Sequence, residues 1–318
     1  MSAIETVSTA VRLIAYHNDP ALKREVLSRV ETHRAAGEIV PGPGFWDGNR
    51  GSLVGVSVHS RDAEDFEVAT GIAKGGLAIA ERIWSLALLR LWLHREAWEG
   101  FHPTDIESLR AFPGEWLEKI APGCNTDGLT RRMTISVLTL VLDEAEAHPD
   151  LEGLGELLRT LIDGHEDSSA KAAASWREWR KSASALARAH REGTLQSALA
   201  NLVATAAWPD TSSAGALPDV LEQYVNLCHY DARDEVAWTG TEEETKRGLD
   251  AQRERILLDP ASRETTALRD FDDKLKNGYP VFAKRRTALE EARSLHTVRR
   301  LMRLRGIFLG LLSDAVNK

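Results

Sequence analysis

Apolar positions along the chain recur mainly at helical spacing. Leu22, Val26, Val30 and His33 fall at i, i+4, i+8 and i+11, one face of a helix over 21–36. Asn18-Asp19-Pro20 precedes it as a cap and first-turn proline, and Gly37 follows as a terminator. Between Ile83 and Leu93 only Ser85 and Arg90 are polar, so 77–98 reads as a helix buried at the centre of a globule. That run is about half the length a membrane span needs, and Glu81, Arg82, Arg95 and Glu96 flank it. Further helices are expected over 4–17, 105–111, 113–120, 128–147, 151–163, 219–230, 242–258, 263–276 and from about 280 to 316.

Two stretches break the pattern. Residues 41–51 are rich in Gly and Pro and cannot be helical. After them Val54, Val56 and Val58 alternate with Gly55, Ser57 and His59, the period of a strand. Its nearest partner is 38–40, so a small β-hairpin is expected across residues 38–58. The segment from Pro209 to Pro218 reads as a linker. The expected fold is mainly α: a multi-helix globule with this one hairpin. Three stretches are expected: an N-terminal helical module over 1–165, an Ala/Ser/Trp/Arg-rich helical segment over 166–208, and a C-terminal helical region over 219–318.

Composition sets the class. The chain has 318 residues, 43% hydrophobic and 28% charged, which excludes wholesale disorder. Its net charge of −8 argues against a general nucleic-acid binder acting by bulk electrostatics. Cys124 and Cys228 are too far apart for a zinc or redox motif. Met1 to Ala10 has no apolar core of a signal peptide, so a cytoplasmic location is expected. No phosphate-binding loop, dinucleotide fingerprint, zincin helix or nucleophile elbow occurs, and no cofactor is expected.

Several segments resemble a family of hypothetical bacterial and phage-borne proteins. Its members carry a YHNDPALK block, matched by residues 16–23, and a Gly-rich loop ending in HS, matched by residues 48–60. Phe112-Pro113-Gly114-Glu115-Trp116-Leu117 opens a stretch similar to the family's FPxxFLxxIPxG segment, and 168–189 is similar to its Ala/Ser-rich helical tract. The resemblance spans about residues 12 to 190. It departs at the family's paired cysteines, which are Ser52 and Val56 here, and residues 86–108 look like extra sequence. Any metal or redox role of those cysteines is therefore lost. The resemblance implies a phage or mobile-element association and supplies no mechanism.

Three constellations can carry chemistry. His17, Asp19, Glu31, His33, Trp46, Asp47 and His59 cluster in the N-terminal part, a residue set able to bind a metal or act as acid and base. His17, Asp19, His33 and His59 are its candidate catalytic residues. The same residues have plain structural roles: Asp19 as a cap, His33 on the apolar face of its helix, His59 exposed on the strand. Trp176-Arg177-Glu178-Trp179-Arg180 places two Trp one turn apart among Arg, able to stack bases, bind a partner or simply pack. Eight Lys/Arg between Lys284 and Arg305 face only Glu290 and Glu291, a local +6 that includes Arg299, Arg300 and Arg303. Such a helix can bind RNA, an anionic surface or an acidic partner, or neutralise acidic neighbours. Substituting those three Arg is expected to leave folding nearly intact, as exposed charges contribute little. Three spacings of R-x4–6-H, used by some all-helical ribonucleases, match the number chance allows, about three. The leading expectation is a non-enzymatic interaction or accessory protein that engages a protein partner or self-associates through helices, with nucleic acid as the weaker option. The alternative is a small metal- or His-dependent hydrolase built on the N-terminal cluster.

Overall fold

The computed structural model describes residues 13–93, 103–148, 151–167, 173–258 and 266–314. A 3-10 turn at Ala15–Asn18 leads into α1 (Pro20–Ala35), α2 (Leu53–Val58), α3 (Ala63–Thr70), α4 (Lys74–Leu93), α5 (Pro103–Lys119), α6 (Leu129–Glu146) and α7 (Glu152–Glu166). Then come α8 (Ala173–Ala189), α9 (Leu195–Ala206), α10 (Asp210–Asn226), α11 (Cys228–Glu235), α12 (Gly240–Leu258), α13 (Ala267–Gly278) and α14 (Pro280–Asp314). The fold is mainly α. No helix among the described residues is long and apolar enough to cross a membrane.

Local signals placed several boundaries. Asp19 caps α1 by accepting from the Ala21 N–H at 2.7 Å, with Pro20 opening the helix. Val26 and Val30 on its apolar face are fully buried and Leu22 packs beside them. Gly37 follows the helix at φ +71°, as expected of a terminator. The expected helix over 4–17 is not seen where it is described. Tyr16, His17 and Asn18 all have positive φ, and the buried Tyr16 hydroxyl donates to the Leu117 carbonyl at 2.7 Å. Residues 4–12 lie outside the described residues.

The β-hairpin is not formed. Residues 53–58 are helical, and only isolated bridges join Gly51 to Ile39 and Trp46. The alternation was of large and small residues rather than of buried and exposed ones. Gly55 and Ser57 are as buried as Val54 and Val56, and a Cβ on Gly55 would lie 2.2 Å from the Phe45 carbonyl oxygen. Small residues let the Gly/Pro loop lie directly on α2. The expected linker also proves helical, as the start of α10. Pro209 precedes its first residue, and burial of Leu217, Val220, Leu221 and Tyr224 holds Pro218 within the helix. In the same way α5 runs through Pro113, because Leu109, Phe112, Trp116 and Leu117 are all buried.

One apolar cluster runs from Ala15 to Leu312 and draws on all three expected stretches. The 35-residue α14, about 50 Å long at 1.5 Å per residue, packs on α4, α5, α6, α10 and α11. Its Phe308 sits between Phe112 and Trp116, with ring centroids 6.4 and 6.2 Å away. A small second cluster of Ala232, Leu289 and Ala292 joins α11 to α14 beside Trp238.

Candidate functional site

The N-terminal cluster divides. His17 Nε2 lies 2.9 Å from the Val68 carbonyl and Asp19 is spent on its cap, so both serve the turn before α1. His33, Trp46 and His59 come together. The His33 ring meets Trp46 edge-on at 5.5 Å and His59 at 5.7 Å, while Trp46 stacks on His59 at 4.6 Å. His33 Nδ1 bonds Glu38 at 2.7 Å, and Arg61 Nε donates to the Trp46 carbonyl at 2.9 Å. His59 ends α2 at φ +56°, which aims its ring back over the loop. Partial burial, then the Arg29 guanidinium and His33, hold the His59 imidazole below its ordinary pKa. Glu31 instead pairs with Arg34, and Asp47 accepts the backbone N–H groups of Asn49 and Arg50. Among the described residues no three His, Cys, Asp or Glu side chains converge as a metal-binding group.

The tryptophan block also divides. Trp176 is 4% exposed and packs on His165 and Trp179 at 4.7 and 4.9 Å. Gly164 of α7 makes room, since a Cβ there would meet the Trp179 ring at 2.8 Å. Both Trp therefore join α7 to α8, while Arg177 lies exposed. Arg180 turns the other way, its guanidinium 3.8 Å over the ring of Trp208, which is 39% exposed.

That contact forms one wall of a cleft of about 1040 Å³ bounded by α8, α9, α10, α11 and α14. Arg180, Arg233 and Arg293 line it, and no Asp or Glu does. Gln223 donates to Thr205 Oγ1 at 2.9 Å, but its Oε1 is buried without a hydrogen-bond partner. Arg293 Nε is buried and unpartnered as well, although its Nη1 lies 3.5 Å from Glu290. Unpaired buried polar atoms of this kind are costly unless water or another group reaches them, and the same holds for Trp84 and Trp116 Nε1 in the core.

Two further clefts share lining residues with it. One of about 590 Å³ shares Gly193 and Arg233 and adds Arg191, Trp238 and Arg247. The other, of about 400 Å³, shares Tyr230 and contains Arg299, Arg300 and Arg303. Arg180 and the arginines of α14, more than a hundred positions apart, thus line neighbouring clefts that share residues. Their roles differ. Arg300 is 8% exposed and grips Asp231 through Nε at 2.7 Å and Glu144 through Nη1 at 2.8 Å. Burial works against its charge, but Asp231 and Glu144 hold its pKa above the ordinary guanidinium value. The expectation that all three arginines are exposed therefore fails at Arg300. Arg299 and Arg303 are exposed. Among the described residues Arg180, Arg191, Arg247, Arg299 and Arg303 form no ion pair with a carboxylate.

Sequence reasoning did not find Trp208, Gln223 or Arg233 as members of this site. The available signal was weak: a Trp placed just after a helix and an excess of Arg over acidic partners in 168–191. No family model, curated protein or solved structure matches the chain.

Proposed function

We propose that the chain is a non-enzymatic binding protein and that the clefts around α8–α11 and α14 receive an anionic partner. The observation that carries this reading is the arginine lining of the 1040 Å³ cleft, free of Asp and Glu, on a chain of net charge −8. Arg233 is paired with Glu243 at 2.7 Å and Arg293 lies 3.5 Å from Glu290, so among the described residues Arg180 is the arginine of that cleft left without a carboxylate for an anion to serve. The guanidinium fork matches phosphate and carboxylate oxygens in pairs. The test is thermal unfolding at low salt with inorganic tripolyphosphate as the probe. At about 100 times its Kd a ligand adds about 2.7 kcal/mol of stability, a plainly measurable rise in Tm. The double variant Arg180→Gln/Arg293→Gln, shown by circular dichroism to be folded, loses that rise. Absence of any rise for the native chain, or an equal rise in the variant, refutes the reading.

The convergence of His33, Glu38 and His59 supports a second reading, a small hydrolase with the two imidazoles as acid and base. Turnover of simple ester or phosphodiester substrates that disappears in both His33→Ala and His59→Ala would favour it over the first.

A further inference from the structure

Resting on the anion-binding reading above, we infer that the partner is single-stranded nucleic acid, laid along the three linked clefts with bases against Trp208 and Tyr230. The first argument is the spread of charge. The five arginines without carboxylate partners are distributed over all three clefts instead of converging on one point, although Glu192 and Glu243 also line the second cleft and Glu144, Asp231 and Asp234, the first two held by Arg300, line the third. A compact anion satisfies a focus of cations, whereas a chain of phosphates satisfies a row of them. The second is aromatic surface. Trp208 keeps 39% of its area exposed at the wall of the first cleft, and Tyr230 stands where the first and third meet. Arg180 already covers one face of Trp208, leaving an Arg–Trp platform of the kind on which bases stack. The third is amide lining, since Asn201, Asn226 and Gln223 all border the first cleft. Side-chain amides pair with the hydrogen-bonding edges of unpaired bases. A duplex hides its bases in the stack and presents a convex cylinder, so only unstacked nucleotides can enter. An acidic peptide meets the charge requirement but has no flat rings to offer.

The experiment measures anisotropy of a labelled oligothymidylate of about 15 nucleotides, within the range one single-strand groove spans, over a salt series with the full chain. Five phosphate contacts on a single strand give a slope of log K against log salt of about −3.5. Arg299→Gln/Arg303→Gln, which alters only exposed side chains, lowers that slope by about 1.4. Trp208→Ala weakens binding about 5- to 150-fold, as for loss of one stacked base, with the slope unchanged. Trp208→Phe restores part of the loss and guards against misfolding as the cause. Equal binding of polyphosphate with no effect of Trp208→Ala overturns the base contact and leaves the anion reading standing. Equal binding of an oligoglutamate peptide assigns the clefts to an acidic protein instead, and equal binding of duplex DNA refutes the cleft geometry. No binding of any polyanion removes both readings together.

Discussion

Replacing Arg300 with Met separates the buried arginine of α14 from its exposed neighbours. Its guanidinium is held by two carboxylates, with Nε and Nη2 on Asp231 and Nη1 and Nη2 on Glu144, all between 2.7 and 3.1 Å. The Arg300 side chain is 10% exposed, Glu144 22% and Asp231 28%. Solvent screens this set weakly, and removing the cation leaves two half-buried carboxylates facing each other. Among the described residues the other basic side chain within 4 Å of these carboxylates is His296, with Nδ1 3.9 Å from Asp231. Breaking a buried pair by deleting one member costs roughly 3–5 kcal/mol, which for a chain of this size lowers Tm by about 10 °C. Arg299→Gln should change stability by less than about 1 kcal/mol, because it alters an exposed charge. Urea unfolding followed by tryptophan fluorescence measures both. Two controls isolate the cause. Adding Glu144→Gln and Asp231→Asn to Arg300→Met should recover most of the loss, since no unpaired charge is then buried. Acidification should also shrink the deficit of the single variant, because its orphaned carboxylates take up protons more readily folded than unfolded. A loss in Arg300→Met no larger than that in Arg299→Gln would refute the argument.

Phe308→Ala removes a fully buried ring from between Phe112 and Trp116 and should cost about 3–5 kcal/mol in urea unfolding; a loss under 1 kcal/mol would mean that the end of α14 is held elsewhere. Gly55→Ala forces a Cβ to 2.2 Å from the Phe45 carbonyl oxygen, so a loss of about 1–3 kcal/mol is expected, with a change in Trp46 fluorescence as the loop lifts. Glu81 lies buried in α4, where burial raises its carboxyl pKa despite hydrogen bonds from the Val54 N–H and Ser52. The folded state then binds the proton more tightly than the unfolded state, so this contribution is complete below the unfolded value near 4.5 and is lost as pH rises through the folded one. Glu81→Gln should therefore gain on the native chain as pH increases, and a stability difference independent of pH would contradict that sign.

The sequence by itself determined what short-range physics controls. Asp19-Pro20 started α1 and Gly37 ended it, because capping and left-handed backbone depend on neighbours a few residues away. Near the end of α14 the apolar Phe308, Leu309 and Leu312 are buried, as large apolar side chains on one helix require. Mainly helical content followed from the same periodicities. Tertiary structure decided the rest. Whether Gly55 and Ser57 are exposed turns of a strand or tight contacts of a helix depends on what lies against them, and here that is the Phe45–Trp46 loop. Proline at 113 and 218 reads as a breaker until the surrounding burial outweighs the lost hydrogen bond. Arg299, Arg300 and Arg303 look alike in sequence, yet Arg300 meets partners 69 and 156 positions away. The clefts themselves belong to no segment. They exist only where α8, α9, α10, α11 and α14 meet, because the space between packed helices is set by contacts between residues remote in sequence.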